Sequence, residues 1–219
     1  MKLVFNTTLI IFLSLQIHAK NFQTSYLVKT KGITIGSLVW KIDLEENYYK
    51  TSINLKNKGF ISVLYKFKGI YSSEGGKIKN DLFPISYNQD WETNKKNKKV
   101  TIVFKDSRVS KLSLSPAESE FPRVEYIGLK NYKDPVSSFI SVLIKNKPSQ
   151  TIDGRRVYVL SPEKKGNKII ISVKNYRNIW ADHKRNDLNY LEVFSKEDSI
   201  LPEKINIKFK GSIFSLIKN

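Results

Sequence analysis

The chain is 219 residues long, carries 38 Lys+Arg against 20 Asp+Glu, and has a formal net charge of +18. It has no cysteine, which excludes disulfides, thiol catalysis, Cys-ligated zinc and a lipid-modified N-terminal cysteine. So basic a balance favours polyanionic partners, although lysines spread through the whole chain also fit a simple compositional bias.

Lys2, the apolar run LVFNTTLIIFLSL (3–15) and the small residue Ala19 read as an export signal cleaved between Ala19 and Lys20. The run is shorter than the roughly 20 residues of a membrane-spanning helix. This predicts a single β-rich domain over residues 20–219 in the periplasm, or secreted, where a core of this size needs no disulfide. Nucleic acid is then not an expected partner, whereas an anionic membrane surface is.

Most of the remaining sequence has strand character. Residues 22–30 and 33–43 flank Lys31-Gly32 as a hairpin. In 47–57, Tyr48, Lys50, Ser52 and Asn54 alternate with Tyr49, Thr51, Ile53 and Leu55, one face wet and one dry. Strand-like runs follow at 60–75, 82–93, 99–106 and 108–115, and Pro84 predicts an edge position or a strand start for the second of them. YKDPVSSFISVLIKNKP (132–148) then predicts a helix. Asp134 is a good N-cap, and Pro135 follows at the first helical position, where its missing N–H costs nothing. Val136, Phe139, Ile140, Leu143 and Ile144 form one apolar stripe. Strand patterns resume at 155–160, 168–175, 188–196 and 204–218. Many short strands between turn signals predict a mainly β fold: a strongly curved antiparallel sheet, half-barrel or barrel-like, with one inserted amphipathic helix against its concave face. Incomplete coverage of that face would leave an apolar cavity.

The stretch TIDGRRVYVL (151–160) places two of the six arginines side by side after a tight turn. Strand alternation sends Arg155 and Arg156 to opposite faces. The expectation is that one faces solvent and the other turns inward to Asp134 or Asp153, since a guanidinium fork fits a carboxylate better than an ammonium does. Asp134, Pro135, Asp153 and Gly154 are read as structural. Arg155, Arg156, Trp40, Tyr65 and Phe139 are the candidate ligand contacts, with core filling as the other reading of the aromatics.

Nothing in the sequence forms a catalytic set. His18 leaves with the signal, His183 stands alone, and there is no G-x-S-x-G elbow or Gly-rich phosphate loop. Carboxylate pairs such as Glu45-Glu46, Asp182/Asp187 and Glu197-Asp198 lie at turns or strand ends beside lysines. No catalytic residue, metal or cofactor is assigned. The resulting expectation is a non-enzymatic protein that binds or escorts an apolar or lipid-like molecule or assists envelope assembly. The alternatives are an interaction factor with a filled core and a hydrolase of envelope polysaccharide.

The stretches SYLVKTKGITIGSLVWKID, GFISVLYKFKGIYSSEG, LFPISYN, YKDPVSSFISVLI, TIDGRRVYVL and ILPEKINIKF fall in an order that resembles the exported bacterial proteins of domain of unknown function 3108. The Asp-Pro helix start followed by the Asp-Gly-Arg-Arg turn is the most specific part. The resemblance implies a periplasmic β-rich domain, similar in architecture to half-barrel lipoprotein carriers, and implies no activity.

Overall fold

The computed structural model describes residues 20–59, 66–180, 187–196 and 199–219. The export segment, Tyr65, His183, Asp182 and the pair Glu197-Asp198 lie outside the described residues. Thirteen strands form one antiparallel sheet: β1 (Lys20–Thr30), β2 (Ile33–Leu44), β3 (Tyr48–Asn57), β4 (Phe67–Ile78), β5 (Asp81–Thr93), β6 (Asn97–Lys105), β7 (Arg108–Ser115), β8 (Ser149–Ile152), β9 (Arg156–Lys165), β10 (Lys168–Asn178), β11 (Leu188–Phe194), β12 (Lys204–Phe209) and β13 (Ser212–Lys218). Helix α1 (Pro135–Lys145) stands between β7 and β8.

The strand order is β7-β6-β5-β4-β3-β2-β1-β13-β12-β11-β10-β9-β8, so the last strand pairs with the first and the edges are β7 and β8. Strand pairing does not close the sheet. The segment between β7 and α1 bridges the gap instead. Arg108 pairs with Lys130 on one side, and Lys133 pairs with Thr151 on the other. Backbone bonds from Val109 N to Leu129 O, Lys133 N to Gln150 O and Ile152 N to Lys133 O satisfy groups that a bare edge would expose.

Two strand expectations change. The run 204–218 is two strands, because Lys210 and Gly211 both take positive φ and turn the chain back on itself. Pro84 sits in β5, an interior strand, not at an edge. A register shift between Glu74 and Gly75 places a bulge beside it, where no ladder N–H is needed.

The antiparallel order fixes two ends. At the first end lie the β1–β2, β3–β4, β5–β6, β8–β9 and β12–β13 turns; at the second lie the β2–β3, β4–β5, β6–β7 and β9–β10 turns. Between them the concave face holds Tyr26, Trp40, Ile42, Tyr49, Tyr87 and Ile171, all essentially inaccessible. Helix α1 packs against β4, β5, β8 and β9 on that face. It is enclosed more completely than a surface-lying helix. Ser137, Ser138, Ser141 and Val142 are buried together with Val136 and Ile140, while Phe139, Leu143 and Ile144 of the expected stripe are half-buried.

Candidate functional site

Burying serines requires partners, and the helix start supplies them. Asp134 is the N-cap. Its Oδ1 accepts from Val136 N at 2.9 Å and Ser137 N at 3.0 Å. Its Oδ2 accepts from Ser137 Oγ at 2.6 Å and Ser73 Oγ at 2.7 Å. Tyr49 Oη lies 2.7 Å from Ser137 Oγ and extends the network to β3. One turn on, Ser138 Oγ meets Ser149 Oγ and Thr151 Oγ1 at 2.7 and 2.6 Å, tying α1 to β8. Burial pushes the Asp134 carboxyl above the usual carboxylate range, against the pull of these hydrogen bonds.

Asp134 therefore has no bond to spare for an arginine, and neither arginine reaches it. Arg155 pairs with Glu118. Arg156 lies 3.4 Å from Asp153 and 3.5 Å from Asp187, with its guanidinium over the Tyr176 ring. The expectation of one solvent-facing arginine also fails: their side chains are 13% and 20% exposed. Alternation does send them to different segments, but both sides of the strand are covered there. Asp153 organises the turn by accepting from Arg155 N and Arg156 N at 2.9 and 2.8 Å. Trp40 and Phe139 stack on each other at 5.9 Å, and Trp40 donates its indole N–H to Thr51 Oγ1. Trp40 is essentially inaccessible, while Phe139 is half-buried.

The most developed site lies elsewhere, at the second end. A cleft of about 580 Å³ opens between the β4–β5 turn, the end of α1 and β8. Asp81 stands in it between two cations: Lys133 donates to Oδ1 and Lys145 to Oδ2, the latter at 2.8 Å. Lys133 also donates to Ser141 Oγ at 3.0 Å and lies over the Phe83 ring. Burial works to raise the Asp81 pKa, but the two ammonium groups hold it below the usual carboxylate range. Burial also lowers the Lys133 pKa, more than Asp81 raises it. Lys147 adds a third cation, and Leu82, Phe83, Pro84, Pro148 and Val159 supply apolar wall. Three lysines against one carboxylate leave the cleft cationic. Sequence reading missed it, since Asp81 and Lys133 are 52 residues apart and the stretch that contains Lys133 reads only as a helix start.

Asp81→Asn leaves the nearly buried Lys133 ammonium without its counter-ion, so a loss of roughly 2 kcal/mol is expected at neutral pH. The folded pKa of Asp81 is depressed, so its contribution holds above the ordinary carboxylate pKa and is lost as pH falls through the folded value. The gap between wild type and Asp81→Asn should therefore close in acid. Urea unfolding across pH reads this directly, and a gap that widens in acid would reverse the assignment.

In architecture this is a β-barrel-like protein. Two solved chains match it, among them the crystal structure of the β-barrel-like protein of domain of unknown function DUF1849 from Brucella abortus. That structure has a TM-score of 0.50 at 9% identity, covering 90% of this chain and 94% of the other. The chain belongs to the family described as protein of unknown function (DUF3108), which matches residues 25–159. No curated protein matches.

Proposed function

We propose that this is an exported cell-envelope protein that binds an anionic amphiphile, a lipid-like molecule with a negative headgroup, in the cleft around Asp81. The observation that carries this reading is the charge arrangement there. One carboxylate is shared by Lys133 and Lys145, with Lys147 beside them, so positive charge is left over at the mouth of a partly apolar cleft. Its volume falls in the range of roughly 300–1,000 Å³ typical of small-ligand sites. Lys145 and Lys147 would meet the headgroup, while Phe83, Pro84 and Pro148 would flank the chain. Export through residues 1–19 belongs to the same proposal and supplies a compartment where such molecules are at hand.

The test is a calorimetric titration with dodecyl phosphate below its micelle concentration, with dodecyl maltoside as the neutral comparison. The phosphate should bind and the maltoside should not. Lys145→Glu with Lys147→Glu should weaken binding by about tenfold or more, since two headgroup contacts become repulsive. Equal affinity in wild type and variant would remove the cleft from consideration.

A further inference from the structure

The two ends of the barrel differ in charge, and the difference follows from topology. At the first end, described turn residues are Lys31-Gly32, Lys58-Gly59, Asn94-Lys95-Lys96 and Lys210-Gly211, with Lys66 leading into β4; all are exposed. These four turns carry no acidic residue, and the β8–β9 turn at the same end carries Asp153, which Arg156 meets. Of the nearby carboxylates, Glu118 pairs with Arg155 and Asp187 lies between Arg156 and Lys210; Glu92, just before the β5–β6 turn, and Glu120, beside Phe121, are exposed, so six exposed lysines stand against two exposed carboxylates. At the second end, Glu45, Glu46 and Asp106 accompany Lys79 and Lys165, so the signs are mixed.

Large apolar side chains stand among the lysines of the first end. Ile33 follows the β1–β2 turn and is 61% exposed; Ile213 follows the β12–β13 turn and is 46% exposed. The Thr30 hydroxyl bonds Ile213 O, so these two turns are neighbours. Phe121 is 92% exposed and lies at the same end, because Pro122 bridges to Trp180 just after β10. Compositional bias scatters lysines over all faces. It does not by itself gather six exposed lysines about two exposed carboxylates, or set Ile33, Ile213 and Phe121 beside them.

We infer that the first end of the barrel is a docking face for an anionic membrane surface, with the turn lysines over headgroup phosphates and Ile33, Ile213 and Phe121 entering the interface. Charge complementarity selects the lipid surface, and exposed apolar side chains beside the cations distinguish it from a nucleic-acid backbone. This goes beyond the amphiphile reading and does not depend on it, since the cleft sits at the opposite end and stays open while the protein is docked.

Co-sedimentation with phosphatidylcholine vesicles, with and without about one third phosphatidylglycerol, tests the face. Binding should require the anionic lipid and should drop sharply in about 1 M salt, where the Debye length is about 3 Å. Each lysine near an anionic surface is worth roughly fivefold in partitioning. Reversing Lys31, Lys58, Lys95 and Lys96 to Glu should therefore lower it by roughly 600-fold or more. Reversing the exposed Lys79, Lys111, Lys164 and Lys165, away from this end, changes net charge equally and should cost far less. Phe121→Ser should weaken the binding that remains in high salt. All variants share one N-terminus, so residues 3–15 cancel from every comparison. Equal losses from the two quadruple variants would reduce the effect to net charge and overturn the inference. So would equal binding to zwitterionic vesicles, or retention on duplex DNA without vesicle binding.

Discussion

Asp134→Ala should cost on the order of 3 kcal/mol, among the largest losses available from one polar side chain in this protein. An N-cap replaced by alanine usually costs about 1 kcal/mol, through the helix N–H groups left without an acceptor. Here the same carboxylate also accepts from the buried hydroxyls of Ser73 and Ser137. Each of those loses its acceptor in a site that water does not reach, at about 1 kcal/mol or more apiece. Asp134→Asn separates the two contributions. Its carbonyl still caps Val136 and Ser137, but its amide must be met by hydroxyls that now point the wrong way, so about 1 kcal/mol should be lost.

The pH dependence gives this prediction a signature that a packing defect lacks. Burial raises the folded pKa of Asp134 above the usual range. A raised pKa means that the neutral form is the one the fold favours. Its contribution is complete below the unfolded pKa of about 4 and declines as pH rises through the folded value. The advantage of wild type over Asp134→Asn should therefore be greatest in acid and shrink toward neutral pH. Asp81 runs in the opposite direction, so the two variants should give stability differences with opposite slopes. Parallel slopes in the two series would show that the Asp134 carboxylate is charged and stabilised in the fold, against the burial argument.

What could be read in advance, and what could not, follows from the range of each interaction. The helix start was legible because an N-cap and a proline at the first helical position act within four residues. Period-two alternation in 47–57 gave β3 for the same reason. The bridging segment between β7 and α1 has no periodicity: SPAESEFPRVEYIGLKNY (115–132) reads as loop, yet it spans both sheet edges. Its consequence for the arginines was invisible too. Alternation says that Arg155 and Arg156 diverge. It does not say that Glu118, 37 residues earlier, covers the outer side, or that Asp187 meets the other. Ser137 and Ser138 lie off the apolar stripe, and nothing local in the sequence says that they are buried. Inside a barrel there is no wet face, and hydroxyls from β4 and β8 take the place of water.

The turn that joins those arginines to the fold carries the second large effect. Gly154 has φ +90°, a conformation that side chains with a Cβ rarely adopt. A Cβ built there would stand 2.6 Å from Val100 Cγ1 and 3.2 Å from Leu114 Cδ2. Those residues belong to β6 and β7, at the far edge of the sheet from β8 and β9, so this contact is where the two edges of the barrel meet. Trp180 donates its indole N–H to Gly154 O at 3.1 Å and holds the turn in place. Gly154→Val should therefore destabilise by roughly 2–5 kcal/mol, combining the positive-φ penalty with overpacking. The two causes come apart in a cycle with Val100→Ala. Truncating Val100 opens room for a Cβ but leaves φ unchanged, so Gly154→Ala should cost less in the Val100→Ala background than in wild type. A coupling near zero, with the full cost retained, would assign the glycine to backbone geometry alone. It would leave the bridging segment, with its Lys130 and Lys133 pairings, as what holds the two edges together.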